Sequence, residues 1–202
     1  MKQTLIILIL ASLTACGGRY GRGLPKNIHE YELWSDAIAN TSLECPEMSA
    51  LDVLVGEFDY YLQYTPYPGA NTISSQGTCS FRSDYQNRWL IGNWNPDSAQ
   101  GSSTHTVLIG YSEAQSRYLM GVIGANPASV GGEGIRDVNS TASVAVDFEM
   151  SMPSPIDSGE RTLFRRRLEV IDTTTIDVID YRSGWNGTLE PFQIIRMKRI
   201  LR

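Results

Sequence analysis

The chain is poor in the residues that build metal centres and activated nucleophiles. Its 202 residues include only two histidines, His29 and His105, and three cysteines, Cys16, Cys45 and Cys79. No His/Cys/Asp cluster stands at metal-ligand spacing, so no metal or cofactor is expected. Positive charge is not in excess: the formal net charge is -5, without the basic face a nucleic-acid partner requires. No apolar run reaches the roughly 20 residues of a membrane-spanning helix. A Gly-x-Ser-x-Gly nucleophile elbow is absent, and so is any internal repeat.

What is there begins at the N-terminus. Lys2 precedes an uncharged run, Leu5-Ile6-Ile7-Leu8-Ile9-Leu10-Ala11, of a length that suits the apolar region of a signal peptide. Leu13-Thr14-Ala15-Cys16 follows and resembles the lipobox of bacterial lipoproteins. That resemblance implies that Cys16 takes a thioether-linked diacylglycerol and, after cleavage before it, usually an N-acyl chain on its new amino group. Each buried methylene adds about 0.8 kcal/mol of membrane affinity, so several chains make a stable anchor. The expected organisation is a signal peptide over 1–15, a lipidated tether with a short helical segment over 16–45, and one folded domain over 46–202. The expected location is the cell envelope. Gly17, where an Asp would retain a lipoprotein in the inner membrane of enterobacteria, favours the outer membrane. Losing residues 1–15 removes only the charge of Lys2, leaving the mature chain one unit more acidic.

With Cys16 consumed by lipid, Cys45 and Cys79 remain as an even pair in an exported chain, where disulfides persist. A disulfide between them is expected, joining the segment before the domain to its second strand. The alternative is two buried free thiols.

Residues 17–27, rich in Gly and Arg, read as a flexible tether. A short helix is possible over 28–39, and one or two helical turns are expected over 46–54. From Val55 onward the hydrophobic period is two: Val144, Val146, Phe148 and Met150 alternate with Ser143, Ala145, Asp147 and Glu149. Such alternation marks strands with one dry and one wet face. Turn signals at Pro68-Gly69, Asn95-Pro96-Asp97, Asn126-Pro127, Gly131-Gly132, Asp157-Ser158-Gly159 and Ser183-Gly184 divide the runs. Ten strands result, near 55–65, 74–83, 87–94, 104–111, 116–124, 131–137, 143–151, 161–171, 174–182 and 190–199. Many short strands without intervening helices indicate an all-β antiparallel barrel or sandwich.

Three short motifs carry a family resemblance. Leu51-Asp52-Val53-Leu54-Val55-Gly56-Glu57-Phe58 resembles the opening of calycin-type barrels, where a short helix leads into a strand bearing Gly-x-Trp. It is more similar still to a bacterial lipocalin-like family of unknown function that opens Leu-x-x-Leu-x-Gly-x-Trp. That family also carries a Gly-Tyr pair, matched by Gly110-Tyr111, and a final Arg-bearing strand, matched by Ile194-Ile195-Arg196-Met197. The resemblance covers about residues 46–199 and implies a lipocalin-like barrel. It implies further that Arg196 lies across the first-strand aromatic, here Phe58 in place of Trp, as a structural pair closing one barrel end. A haem-binding subgroup of small barrels uses a His near the C-terminal strands; no His follows His105 here.

Candidate functional residues come from strand phase. In Arg165-Arg166-Arg167, Arg165 and Arg167 fall on one face, and Arg166 shares the other with Phe164, Leu168 and Val170. In a hollow barrel Arg166 points inward and needs a partner, either an internal acid such as Asp180 or the anionic head of a ligand. Interior arginines of fatty-acid-binding barrels hold a carboxylate in this way. The expected pocket comprises Arg166, Phe164, Leu168, Val144, Val146 and Phe148. The expected function is non-enzymatic binding of a small apolar or amphipathic ligand. Two alternatives remain: an envelope interaction module with a filled barrel, and a hydrolase built around His105 at the barrel mouth.

Overall fold

A computed structural model describes residues 45–84, 87–97, 104–124, 130–154, 159–184 and 187–201. The leader, Cys16, the tether and the short helix expected over 28–39 lie outside the described residues.

Helix α1 (Pro46–Ser49) and a 3-10 turn (Asp52–Leu54) lead into ten strands. These are β1 (Gly56–Tyr64), β2 (Ile73–Asp84), β3 (Trp89–Pro96), β4 (His105–Ser112), β5 (Arg117–Gly124), β6 (Val130–Arg136), β7 (Val144–Pro153), β8 (Arg161–Val170), β9 (Thr175–Ser183) and β10 (Leu189–Arg199). Each pairs antiparallel with its sequence neighbours, and β10 closes onto β1 in the register Phe58↔Arg199 to Tyr64↔Gln193. The fold is a closed up-and-down barrel, as the period-two pattern and the family resemblance lead one to expect. Closure leaves no edge strand among the described residues.

The alternating residues divide between interior and surface as the pleat demands. Val144, Val146, Phe148 and Met150 of β7 are buried inside, beside Leu168 and Val170 of β8. Gly131-Gly132 forms no turn: it lies inside β6, paired with Ser151 and Met150. A side chain on Gly132 or Gly134 would overlap β7 backbone oxygens and the Met150 and Phe148 side chains. These glycines let the large β7 residues fold flat against β6 and fill that part of the interior.

The end of the barrel that carries the chain's entry into β1 is capped. Met48 of α1, Leu51 just before the 3-10 turn and Leu54 within it are completely or almost completely buried, each contributing about 1.5–3 kcal/mol by burial. Tyr118 at the start of β5 donates its hydroxyl hydrogen to Glu47 O at 2.9 Å, tying the cap to the wall.

The pair closing this end is not the expected one. Arg196 points outward, its side chain 56% exposed, and binds Asp177 through two bonds of 2.8 and 2.7 Å. Arg199 instead lies over Phe58, its guanidinium carbon 4.7 Å from the ring centroid. The reason is phase: Ile195, Met197 and Arg199 share the inward face of β10, while Arg196 falls between them. Arg199 also donates to Val53 O, to Val55 O at 2.8 Å and to Thr173 O at 3.1 Å. Gly56 has φ +142°, and any side chain there would meet the Arg199 guanidinium. The Gly-x-aromatic motif of β1 therefore makes room for this cation.

The expected disulfide is also corrected. Cys45 and Cys79 are separate, buried free thiols. Cys45 starts α1 with Sγ 3.7 Å from Glu47 Oε2, whereas Cys79 points into the barrel with Sγ 3.5 Å from Met197 Sδ. Burial pushes the Cys79 thiol up to about 12 and raises Cys45 as well, so both stay protonated at neutral pH.

Candidate functional site

The barrel is packed at the capped end and hollow beyond it. A cavity of about 310 Å³ opens among inward-facing residues of β1 to β5, β8, β9 and β10, with Val130 of β6 at its border. This volume sits at the lower end of the range of small-molecule sites. The wall is mainly apolar, built from residues such as Phe81, Val107, Ile109, Val122, Val178 and Ile195.

Polar atoms on this wall are few. Arg166 points inward from β8, as its phase predicts, because the strand runs without a bulge; the register shift of this region lies in β10, between Pro191 and Gln193. Arg166 makes a bidentate ion pair with Asp180 on β9: Nε donates to Oδ1 and Nη2 to Oδ2, each at 2.7 Å. The Asp180 side chain is 3% exposed and accepts a third bond, from Gln193 Nε2 at 2.9 Å. Burial alone would lower the Arg166 pKa, but the charge and hydrogen bonds of Asp180 outweigh it and hold the guanidinium above its ordinary value. The remaining nitrogen, Nη1, faces Met120 Sδ at 3.8 Å, a weak acceptor.

Trp94 of β3 stands on the opposite wall, five strands away from β8 in either direction around the ring. It is 4% exposed and held in an aromatic cluster: Tyr60 at 4.9 Å, Phe81 edge-on at 6.1 Å, and His105 stacked at 5.5 Å and 10°. Its indole Nε1 is buried and has no acceptor among the described residues. A buried indole N–H ordinarily finds a partner, and Trp94 lines the cavity.

Of the six expected pocket residues, Arg166 and Leu168 stand on the cavity wall. Phe164 lies one layer nearer the β7–β8 connection, edge-on to Phe192 at 6.0 Å and 5.7 Å from the Arg166 guanidinium carbon. Val144, Val146 and Phe148 are buried but do not line the cavity. The β6 glycines and the cap let them fill the closed half, so they are core residues. Trp94, Tyr60 and Gln193 are not among the expected pocket residues, and His105, expected only as the centre of a hydrolase site at the barrel mouth, stands on the wall stacked against Trp94. The phase of Leu90, Gly92 and Trp94 along β3 turns Trp94 inward, and a period-two reading of that strand finds it.

Arg165 and Arg167 lie on the outer face, as expected. Arg167 contacts Asp137, Asp147 and Glu169 at 2.9, 2.8 and 2.6 Å, and Arg165 contacts Asp147 at 2.7 Å. Among the described residues no group of three or more His, Cys, Asp or Glu could hold a metal ion.

A protein-family model described as "Protein of unknown function (DUF1579)" matches residues 45–199. Comparison with curated proteins gives no match. Among solved structures, the crystal structure of Rv2717c from M. tuberculosis is similar, with a TM-score of 0.56 and 12% identity, covering 78% of this chain and 99% of that one. A redesigned β-barrel matches with a TM-score of 0.31 and 12% identity over 75% of this chain and 96% of its own. At such identities the likeness to Rv2717c is one of fold alone.

Proposed function

The chain belongs to the DUF1579 family, and on that premise we propose that it is a non-enzymatic binding protein that holds one small, largely apolar ligand inside its barrel. The observation that carries this reading is the cavity of about 310 Å³ with an apolar wall and a buried indole N–H that has no acceptor among the described residues. Barrels of this kind either fill with side chains or enclose a ligand, and a cavity combining apolar lining with a few placed polar groups is the ordinary form of a small-molecule site. The reading includes attachment to a membrane through lipid on Cys16, supported by Leu13-Thr14-Ala15-Cys16 behind its apolar run.

The test is titration of a neutral, polarity-sensitive dye, N-phenyl-1-naphthylamine, followed by its own emission. Saturable one-to-one binding is expected, weakened by about tenfold or more in Val122→Trp, which adds bulk to the cavity wall. Absence of binding, or equal affinity in a folded Val122→Trp variant, overturns the reading.

A further inference from the structure

We infer that the polar group of the ligand is a neutral hydrogen-bond acceptor, an ester, amide or ketone carbonyl, and not a carboxylate, because the Arg166 guanidinium on the cavity wall is already neutralised within the protein. This rests on the barrel-binding reading above and specifies the ligand class of the same cavity.

Three features of the cavity support it. First, both oxygens of Asp180 are engaged, Oδ1 by Arg166 Nε and Oδ2 by Arg166 Nη2 and Gln193 Nε2, so the pair is charge-balanced and geometrically complete. A ligand carboxylate at Arg166 would bring a second negative charge beside a buried Asp180, with no second arginine or lysine to match it among the described residues of the cavity wall. Like charges at that range in a poorly solvated interior disfavour the ionised form. Second, the hydrogens still to be satisfied are donors. Trp94 Nε1 has no acceptor among the described residues, and Arg166 Nη1 meets only the thioether of Met120. An indole N–H donates and never accepts, so the group it recognises must carry a lone pair. Third, these donors stand on opposite walls, with apolar side chains such as Val107, Ile109 and Val178 around them. A chain with a carbonyl at one end satisfies a donor while its hydrocarbon fills the remainder.

The experiment is competition against N-phenyl-1-naphthylamine by methyl octanoate and octanoic acid, which share a chain and differ in the charge of the head. At about pH 8 the ester is expected to displace the dye at least about tenfold more effectively than the acid, which is then ionised. Towards about pH 5.5 the acid should gain on the ester, because its neutral form is the one admitted. Among the described residues, Asp180 on β9, Tyr60 on β1 and His105 on β4 are the other titratable groups at the cavity. Octanoate, and not the ester, would sense a charge on His105, so the pH comparison is repeated in His105→Gln, where a gain of the acid that persists belongs to the ligand's own proton. Asp180→Asn leaves Arg166 with an unmatched charge and should reverse the preference at about pH 8 in favour of octanoate. Octanoate binding as well as the ester in the wild type at that pH overturns the inference while leaving barrel binding intact. Dye binding that the ester cannot displace does the same. Failure of the dye itself to bind removes the barrel-binding reading first, and the inference with it. If Asp180→Asn does not fold, the wild-type ratio decides alone; if it folds and still prefers the ester, the inference is overturned.

Discussion

The guanidinium of Arg199 lies over the ring of Phe58, 4.7 Å from its centroid, where β10 closes onto β1. The same side chain donates to Val53 O and Val55 O ahead of β1 and to Thr173 O between β8 and β9. One cation therefore ties together the last strand, the entry to the first, and the turn beside it.

Arg199→Ala should cost about 2–3 kcal/mol, from a lost cation–π contact and three carbonyls losing a charged donor. Arg196→Ala should cost about 1 kcal/mol or less, since its pairing with Asp177 is largely exposed on the arginine side. Urea denaturation followed by circular dichroism ranks the two. A larger loss for Arg196→Ala contradicts the assignment.

The ten strands were legible because alternation such as Val144, Val146, Phe148 and Met150 is dictated by the pleat itself. The Arg166–Asp180 pair was legible for the same reason: inward phase on β8 and on β9 puts both charges in the interior, where they must meet. Arg199 is legible from phase, since Ile195 and Met197 point inward past Arg196, but the short motif Ile194-Ile195-Arg196-Met197 points to the wrong arginine. The cysteine pairing failed because compartment and parity say nothing about approach of two side chains. The extent of the cavity was not legible. Val146 and Trp94 both face inward, and which half is hollow depends on the β6 glycines and on a cap whose packing is not written in strand periodicity.

Asp180→Ala should destabilise by about 3–5 kcal/mol, because it strands a buried guanidinium. Replacing both partners, as Arg166→Met with Asp180→Leu, should recover most of that loss. A double-mutant cycle in urea measures it. A single-variant cost below about 1 kcal/mol would mean that the pair is solvated.

Gly132→Ala should cost about 2 kcal/mol, since its Cβ would overlap Glu149 O and Met150 Sδ. Gly121→Ala, which meets nothing within 4 Å, should stay within about 0.5 kcal/mol of wild type. Thermal unfolding of both separates a packing role for the β6 glycines from a general intolerance of side chains in the strands.

The thiols of Cys45 and Cys79 should resist iodoacetamide in the native state at about pH 8, because burial shields both and raises their pKa, that of Cys79 to about 12. Both should label fully on unfolding without added reductant. Peptide mass spectrometry reads this out, and a Cys45–Cys79 linked peptide contradicts the free thiols.

Ligand that enters the cavity comes to lie beside Trp94, and the indole Nε1–H resonance of Trp94 reports on it directly. In ¹H–¹⁵N spectra, assigned through Trp94→Phe, titration with methyl octanoate should move this resonance downfield and saturably as the N–H gains an acceptor. Resonances of outward-facing residues such as Asp147 and Lys198 should stay in place. A Trp94 resonance that stays fixed while ester binds, or shifts confined to the outer face, contradicts the account.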